Sequence, residues 1–415
     1  MSKNKWYAKK GEQGDIIIST RIRLARNLKD YPFPSRMTAD QLNCVNKEVW
    51  DALPNKNDFD LVELSSLSKA ERLALCQQHL ISPEFAEKND GHAVIMNKDR
   101  SVCIMLCEED HVRIQVLCAG LALEKAYEIA DSIETELEKK LHFAFDRDLG
   151  YLTECPTNLG TGMRASVMIH LPALEAAKGI ESLSRAVGKI GLTLRGTYGE
   201  GSGADGSLYQ LSNQITLGID EKSAIENLSA VTKQVIEKEL KARGTIDRDA
   251  LEDAVYRSLG LLKSARMLQS SELSKHLSNL RLGAAMAMED LPTPEILNTL
   301  ENELCAGAIA AGNKDCDTPE KRDKFRAAAV REITKIHEES VLFRLSEGLP
   351  GEKRGEYVLV VEGAKEGENP LNALSEREHI LHYMRAGLDK KEALKRAARD
   401  RGVSKSELYP FSVDL

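Results

Sequence analysis

The sequence has no C-x-x-C pair and no compact cysteine framework, although eight cysteines are scattered from Cys44 to Cys316. A disulfide-stapled secreted fold is therefore not expected, and a reducing compartment fits. An excess of basic residues is missing too, since the formal net charge is -8. Binding nucleic acid over a whole surface needs concentrated Lys and Arg, so any basic site must be local. The start, Met-Ser-Lys-Asn-Lys-Trp-Tyr, carries no apolar h-region, and no later stretch reaches the roughly 18 apolar residues that span a bilayer. The expectation is a cytoplasmic chain without membrane partners. No internal repeat or low-complexity tract is found, and no Gly-Lys-Ser/Thr follows any glycine pair, so this is not the P-loop.

What is present is enough apolar residue, 42% of 415, for two or three cores. Short β-like runs come first: Asp15 to Thr20, Ala93 to Met96, Ser101 to Leu106 and Val112 to Leu117, the middle pair around an Asn-Lys-Asp-Arg turn. Ala126, Ile129, Ile133, Leu137 and Leu141 then recur at spacings of three and four, predicting a helix that covers one sheet face. Ser166 to Leu171 and Gly191 to Thr197 are further strand candidates. Gly201 to Gly206 interrupts the pattern as a mobile loop before it resumes over Leu208 to Leu217. Beyond about residue 221 the chain turns Ala- and Leu-rich and helical. Near 348 to 370 the texture changes again, around one strand at Tyr357 to Glu362, followed by a basic helix from about 389 to 401. The division predicted is 1–222, 223–335 and 336–415.

Four segments of the first half concentrate chemistry. Ser19-Thr-Arg-Ile-Arg23 sets two guanidinium groups two residues apart, on one face of extended chain. Cys107-Glu-Glu-Asp-His-Val-Arg113 packs three carboxylates, an imidazole and an arginine between apolar strands, an expensive placement unless the charges are used or paired. Cys155-Pro-Thr-Asn-Leu-Gly-Thr-Gly162 followed by Met163-Arg-Ala-Ser-Val-Met168 puts glycines, hydroxyls and an arginine at a turn entering a strand. Arg195-Gly-Thr-Tyr-Gly-Glu200 ends a strand with another arginine and delivers a carboxylate to the glycine-rich loop. Each has a bland alternative taken alone: a surface ion pair, an acidic loop or metal site, a simple turn, a small buried thiol at Cys155. Their occurrence together and in this order is what weakens the bland readings.

That ordered set resembles the ATP:guanidino phosphotransferase family, from about Asp15 to about Arg331. One departure is Cys107, where the family usually places Asn. The resemblance implies an α+β fold, an antiparallel sheet flanked by helices, followed by a helical domain; the last eighty residues do not fit it and read as a small C-terminal α/β appendage. It implies ATP and Mg²⁺, the ion held mainly by nucleotide phosphates and water rather than by a metal site of the protein. Glu109 and Glu200 would be the catalytic carboxylates, with Glu108 in support and Cys155 lining the guanidinium site. Nucleotide contacts are implied at Ser19, Thr20, Arg21, Ile22 and Arg23, at His79 and Arg113, along Arg164, Ala165, Ser166, Val167 and Met168, and along Arg195, Gly196, Thr197, Tyr198, Gly199 and Glu200. The glycine-rich loop would close over the nucleotide and bring Glu200 with it.

Only 18 residues precede Ser19, where kinases of free creatine or arginine carry a helical domain, so the branch acting on arginine side chains of proteins is expected. Arg322-Asp-Lys-Phe-Arg-Ala327 resembles that branch's element for binding phosphoarginine, through Arg322, Asp323, Arg326 and Ala327; an ordinary salt-bridged helix is the alternative. The branch implies a homodimer, a zinc-finger activator, a Clp protease that receives the marked proteins, and a role in stress response. Thr334-Lys-Ile-His-Glu-Glu339, Arg354 to Gly363, Leu388 to Ala393 and Arg401 to Lys405 resemble the C-terminal end of a 16S rRNA ribose 2′-O-methyltransferase. The methyl-donor part is absent, so methyl transfer is not expected, and the basic helix reads as solvated rather than RNA-binding. A kinase of free guanidino compounds and a non-catalytic phosphoarginine-binding adaptor stand as the alternative functions.

Overall fold

The computed structural model describes residues 4–196, 204–333 and 370–415. The expected segments at Thr334 to Glu339 and Arg354 to Gly363, with the strand at Tyr357 to Glu362, lie outside the described residues, as do Thr197, Tyr198, Gly199 and Glu200.

The described residues form ten strands: β1 Ile17–Arg26, β2 Phe59–Glu63, β3 Ala93–Asn97, β4 Val102–Leu106, β5 Val112–Ala119, β6 Phe145–Asp146, β7 Gly150–Tyr151, β8 Met163–His170, β9 Leu192–Gly196 and β10 Leu208–Asn213. Eight of them make one sheet in the order β2-β3-β4-β5-β1-β8-β10-β9, with every neighbouring pair antiparallel. The short β6 and β7 form a separate hairpin. This is the antiparallel sheet flanked by helices that the sequence predicts.

The pleat explains the sheet's two characters. Ile22, Leu24, Ile114, Val116, Ala165 and Val167 point to one face and join a large core. The helices Ala39–Ala52, Leu123–Glu138 and Glu221–Arg243 cover it with Val45, Val49, Ala126, Ala130, Leu137, Leu228 and Val235. Arg21 and Arg23 occupy the alternate positions of β1. They lie inside the strand, not after it as the sequence suggests, because Ile22 and Leu24 continue the core-facing positions between and beyond them and the strand runs on to Arg26.

The helix Leu123–Glu138 also carries Glu134 inside its buried stripe. There it grips Arg26 with two bonds, Nε to Oε1 at 2.5 Å and Nη2 to Oε2 at 2.9 Å. Arg26 is satisfied further by the carbonyls of Ala25 and Thr161, and its guanidinium stacks 3.5 Å over the Tyr151 ring.

Helices Arg248–Ser264, Ser270–Ala285, Pro294–Glu303, Ala306–Gly312 and Pro319–Ile333 build a second core around Val255, Leu262, Leu277, Leu280, Leu297 and Leu300. Among the described residues no helix is long and apolar enough to cross a membrane. The described residues 370–415 belong to a separate compact unit. Its described part packs the helices Glu376–Arg385 and Lys390–Arg401 around Ile380, Ala393, Leu394 and Ala397, with Lys391, Lys395 and Arg396 facing outward.

Candidate functional site

Strand register brings the separated arginines together. Arg23 pairs with Arg164, Ala25 with Arg113, Arg21 with Ser166, and Ser166 with Ser212 in turn. Arg195 pairs with Gln210, which opposes Met168 and through it Ser19. Paired residues share a face, so all five arginines rise from the side opposite the large core. Ile22, Ala165 and Val167 point the other way, into the core beneath them. Thr20 is also spent structurally: its hydroxyl donates to the Gly120 carbonyl at 2.7 Å and accepts from the Ala122 amide at the start of the Leu123 helix.

Arg21 and Arg23 are poorly neutralised among the described residues. Arg21 donates Nη2 to Gln210 at 2.8 Å and Nε to Ser166 at 3.4 Å, both neutral partners. Among the described residues the buried Nε of Arg23 has no hydrogen-bond partner. Burial, then the neighbouring Arg21, Arg113 and Arg164, destabilises the charge on Arg23, opposed by Glu108. Burial leads again at Arg21, ahead of Arg113 and Arg164, and at Arg164, ahead of Arg195 and Arg113. A face of mutually repelling guanidinium groups with an orphaned donor is built for a polyanion of several oxygens. His79 lies beside it, and burial and Arg21 push its imidazole down to about 4, leaving the neutral ring an acceptor or a stacking surface.

The segment Glu108–His111 is the hairpin turn between β4 and β5, and its four residues divide. Asp110 is fully buried and accepts from Asn27 Nδ2 at 2.6 Å and from the Glu154 amide at 2.9 Å. His111 Nδ1 accepts from the Leu28 amide at 2.9 Å, leaving Nε2 to donate to the Pro32 carbonyl at 2.9 Å. These two fasten the turn to the end of β1 and to the strand-like run before Cys155. Glu108 and Glu109 go the other way, and both accept from Arg113, through Nη1 and Nη2 respectively.

Burial raises the Glu109 carboxyl above its usual range against the pull of Arg113, while Asp110 and Glu108 add to the rise. Cys107 takes a left-handed backbone to make the turn, and its thiol faces Asn46 and Leu42 rather than the arginines. The departure from Asn at 107 therefore touches no site atom.

A cavity of about 140 Å³ opens beside Glu109, lined by Arg23, Arg113, Cys155, Thr157, Asn158 and Arg164. The Cys155 Sγ lies 3.0 Å from Thr157 Oγ1. Its loop is pinned from behind: Thr216 donates its hydroxyl to the carbonyls of Thr157 and Leu159. Gly160 sits at φ 109°, and a Cβ there would fall 2.1 Å from the Thr216 oxygen. The cavity joins a carboxylate, a thiol and a neutral rim to the edge of the arginine face, an arrangement that suits a planar cation brought up to a bound polyphosphate. Among the described residues no cluster of three or more His, Cys, Asp or Glu could hold a metal.

Sequence reasoning missed Thr157 and Asn158 on the cavity wall, Gln210 under Arg21, and Ser82 and Gln115 at the margin. Gln115 was open to detection, since it shares the period-two face of Arg113. Ser82 and Gln210 carry no local signal.

The Arg322–Ala327 element lies on the helix Pro319–Ile333, which packs into the second core through Ala327 and Val330. Arg326 is 1% exposed, and its guanidinium donates to the carbonyls of Leu304 and Leu268 and to Asp323. Arg322 is more accessible, with Nη1 on the carbonyls of Cys316 and Asp317.

Residues 42–242 match the family described as ATP:guanido phosphotransferase, C-terminal catalytic domain, and residues 248–342 match the protein-arginine kinase McsB C-terminal domain. A protein-arginine kinase of Brevibacillus brevis is 42% identical over 343 residues, covering 80% of this chain and 96% of that protein. One from Halothermothrix orenii is 46% identical over 288 residues, covering 68% and 82%. Among solved structures, a lombricine kinase is similar in fold, with a TM-score of 0.51 at 24% identity over 58% of this chain and 70% of that one.

Proposed function

The chain belongs to the ATP:guanido phosphotransferase family, and from that premise we propose that it transfers the γ-phosphoryl group of ATP to arginine side chains of proteins, giving phosphoarginine. The observation that supports the reading is the cavity lined by Glu109 together with Arg23, Arg113 and Arg164, where a guanidinium acceptor would meet the bound triphosphate.

The acceptor guanidinium is a poor nucleophile, since its lone pairs are delocalised and its pKa exceeds about 12. Glu109 would orient one of its nitrogens and take the proton released as the N–P bond forms; a carboxyl held above its usual range is better matched to that task. Glu200 would supply the second carboxylate, and Cys155 would line the guanidinium pocket. Arg21, Arg23, Arg113, Arg164 and Arg195 would hold the phosphates and offset charge on the transferring group. Mg²⁺ would bind mainly to phosphate oxygens and water and neutralise part of their charge. His79 would border the adenine.

Arg322, with Asp323 and Ala327, would bind phosphoarginine apart from the catalytic face, and Arg326 would shape that site from within. The rest of the reading rests on the resemblance to protein-arginine kinases: a cytoplasmic homodimer acting in stress response, with a zinc-finger activator and a Clp protease as partners. The sheet region would carry catalysis, the helical region after it would bind phosphoarginine and pair the subunits, and 336–415 would be an appendage.

The test is transfer of acid-labile ³²P from γ-labelled ATP to an unfolded protein and, in parallel, to free arginine, with Glu109→Gln and Glu200→Gln as controls. Label on protein arginine that disappears in both variants supports the proposal. Label confined to free arginine assigns the chain to the metabolic kinases, and no label, or label indifferent to both substitutions, refutes the assignment.

A further inference from the structure

We infer that Ser82 is a positioning residue for phosphoryl transfer: its hydroxyl fixes Glu108, and Glu108 in turn fixes the guanidinium of Arg113 in the phosphate face. The inference rests on the reading of that face as the catalytic site.

Ser82 Oγ donates to Glu108 Oε1 at 2.5 Å. The other carboxylate oxygen of Glu108 accepts from Arg113 Nη1, while Arg113 Nη2 reaches Glu109 at the longer distance of 3.3 Å. One hydroxyl thus occupies one side of Glu108, and the arginine occupies the other. Without the Ser82 donor the Glu108 side chain regains rotamer freedom, and Arg113 can swing toward Glu109 and pair with the proposed base.

Ser82 is itself held firmly. The strap from Gln78 to Ser82 is fastened at three places: Gln78 Nε2 to the Asn302 carbonyl at 3.1 Å, Gln115 Nε2 to the carbonyls of His79 and Leu80, and Ser82 to Glu108. His79 takes a left-handed φ of 58° within the strap, a conformation that a non-glycine residue holds only where its surroundings impose it. The helix Lys69–Gln77 ahead of the strap packs on Ala306–Gly312, with the Gly307 amide donating to Gln77 Oε1 at 2.7 Å. A Cβ at 307 would lie 2.3 Å from the Ala74 nitrogen, so the two helices touch backbone to backbone.

Ser82 has a second, purely structural duty. Its oxygen accepts from the Phe85 amide at 3.1 Å and caps the short turn Pro83–Ala86. The two duties separate by substitution. Ser82→Asp keeps a cap acceptor but cannot donate to Glu108 and sets a like charge beside it. Ser82→Thr keeps both hydroxyl roles, and Ser82→Ala loses both.

The experiment measures kcat and the KM for ATP with the full chain and an unfolded arginine-bearing protein, alongside thermal unfolding. Expected are a fall in kcat of about tenfold or more for both Ser82→Asp and Ser82→Ala, within the roughly 10²-fold that misplacing a catalytic group costs. The KM for ATP should change little, since four other arginines remain. Ser82→Thr should recover most of the turnover that Ser82→Ala loses at a near wild-type unfolding temperature, and Ser82→Asp, which keeps the cap but sets a like charge beside Glu108, should lose turnover out of proportion to its fall in unfolding temperature. Wild-type turnover in Ser82→Asp, or losses of kcat that follow the fall in unfolding temperature across the three variants, overturns the inference. Failure of the underlying reading looks different: the unsubstituted chain would then transfer no phosphate to arginine.

Discussion

Replacing Arg23 by Met should make the unliganded protein more stable while nearly abolishing its activity. Met keeps an apolar stem of similar length in β1 and removes the charge. Arg23 faces Arg21, Arg113 and Arg164, and among the described residues Glu108 is the carboxylate set against them. The net is two unbalanced like charges, 3 − 1. Taking an illustrative charge separation of about 8 Å and an effective dielectric of about 20 to 40, Coulomb's law gives each about 1–2 kcal/mol of repulsion. The orphaned Nε adds a desolvation cost of about 1 kcal/mol or more. Against this stands the lost contact of the guanidinium with its surroundings, so a net gain of about 1–3 kcal/mol is expected, which is a rise in unfolding temperature of several degrees.

Nucleotide should reverse the order. At about 100 times its dissociation constant, a ligand that binds only the folded chain adds about 2.7 kcal/mol, and Arg23→Met forfeits much of that. The measurement is thermal unfolding of both chains with and without ATP and Mg²⁺, paired with ³²P transfer, where losing one charge-stabilising donor should cost about 10²–10³ in kcat. A variant that unfolds below wild type without nucleotide, or that transfers phosphate at more than about a tenth of its rate, would refute the idea that the arginine face is held against its own repulsion for a polyanion.

Glu109→Gln should lose about 10²–10⁴ in turnover with nucleotide-induced stabilisation intact. In the unsubstituted chain the acid limb of the rate profile should lie above the ordinary glutamate value, because burial raises this carboxyl. The sign follows: the folded chain holds this proton more tightly than the unfolded one, so the group's contribution to stability falls as pH rises from the ordinary value through the raised one. Glu134→Gln, which leaves the buried Arg26 without its ionic partner, should lower unfolding free energy by about 3–5 kcal/mol in urea titration. Arg326→Ala should destabilise the chain by about 3 kcal/mol or more, since two carbonyls and Asp323 lose their donor, whereas Arg322→Ala should leave urea stability unchanged and reduce phosphoarginine binding measured by calorimetry.

Much of this was legible before any coordinates. The sheet strands around β1, β3, β4, β5, β8, β9 and β10 announce themselves by β-branched and alternating residues, and the Leu123 helix by its three-four spacing. β2 is short and edge-placed, with Asp60 and Glu63 diluting its pattern, and the Phe145–Tyr151 hairpin offers two residues to each strand. The helix Glu221–Arg243 reads as a helix from its sequence, but nothing in its spacing says that its apolar stripe joins the sheet's core rather than the helical one after it. Convergence of Arg23, Arg113 and Arg164 is a matter of register, and register is fixed by which faces are buried across three strands. A linear pattern can place two arginines on one side of one strand; it cannot align them with a third and a fourth.

The acidic turn shows the limit most clearly. Glu108, Glu109, Asp110 and His111 look like one functional cluster, and a run of three carboxylates invites a metal reading. In the fold the run is two pairs with opposite tasks. Asp110 and His111 use every available geometry of a tight turn to fasten it to Asn27, Leu28, Pro32 and Glu154. That anchoring holds the backbone from which Glu108 and Glu109 project. Adjacency in sequence is then a requirement of preorganisation, because a carboxylate aimed within a fraction of an ångström needs its support in the same turn. Replacing Asp110 by Asn tests this directly. The side-chain oxygen that accepts from Asn27 and the Glu154 amide survives, while the other, unpartnered carboxylate oxygen becomes an amide nitrogen. Turnover should therefore fall far less than in Glu109→Gln, and Asp110→Ala, which removes the anchor, should lose turnover and stability together in parallel kinase and urea measurements. Equal loss of activity in Asp110→Asn and Glu109→Gln would mean that the charge of Asp110 acts on the substrate, and the division of the turn would be wrong.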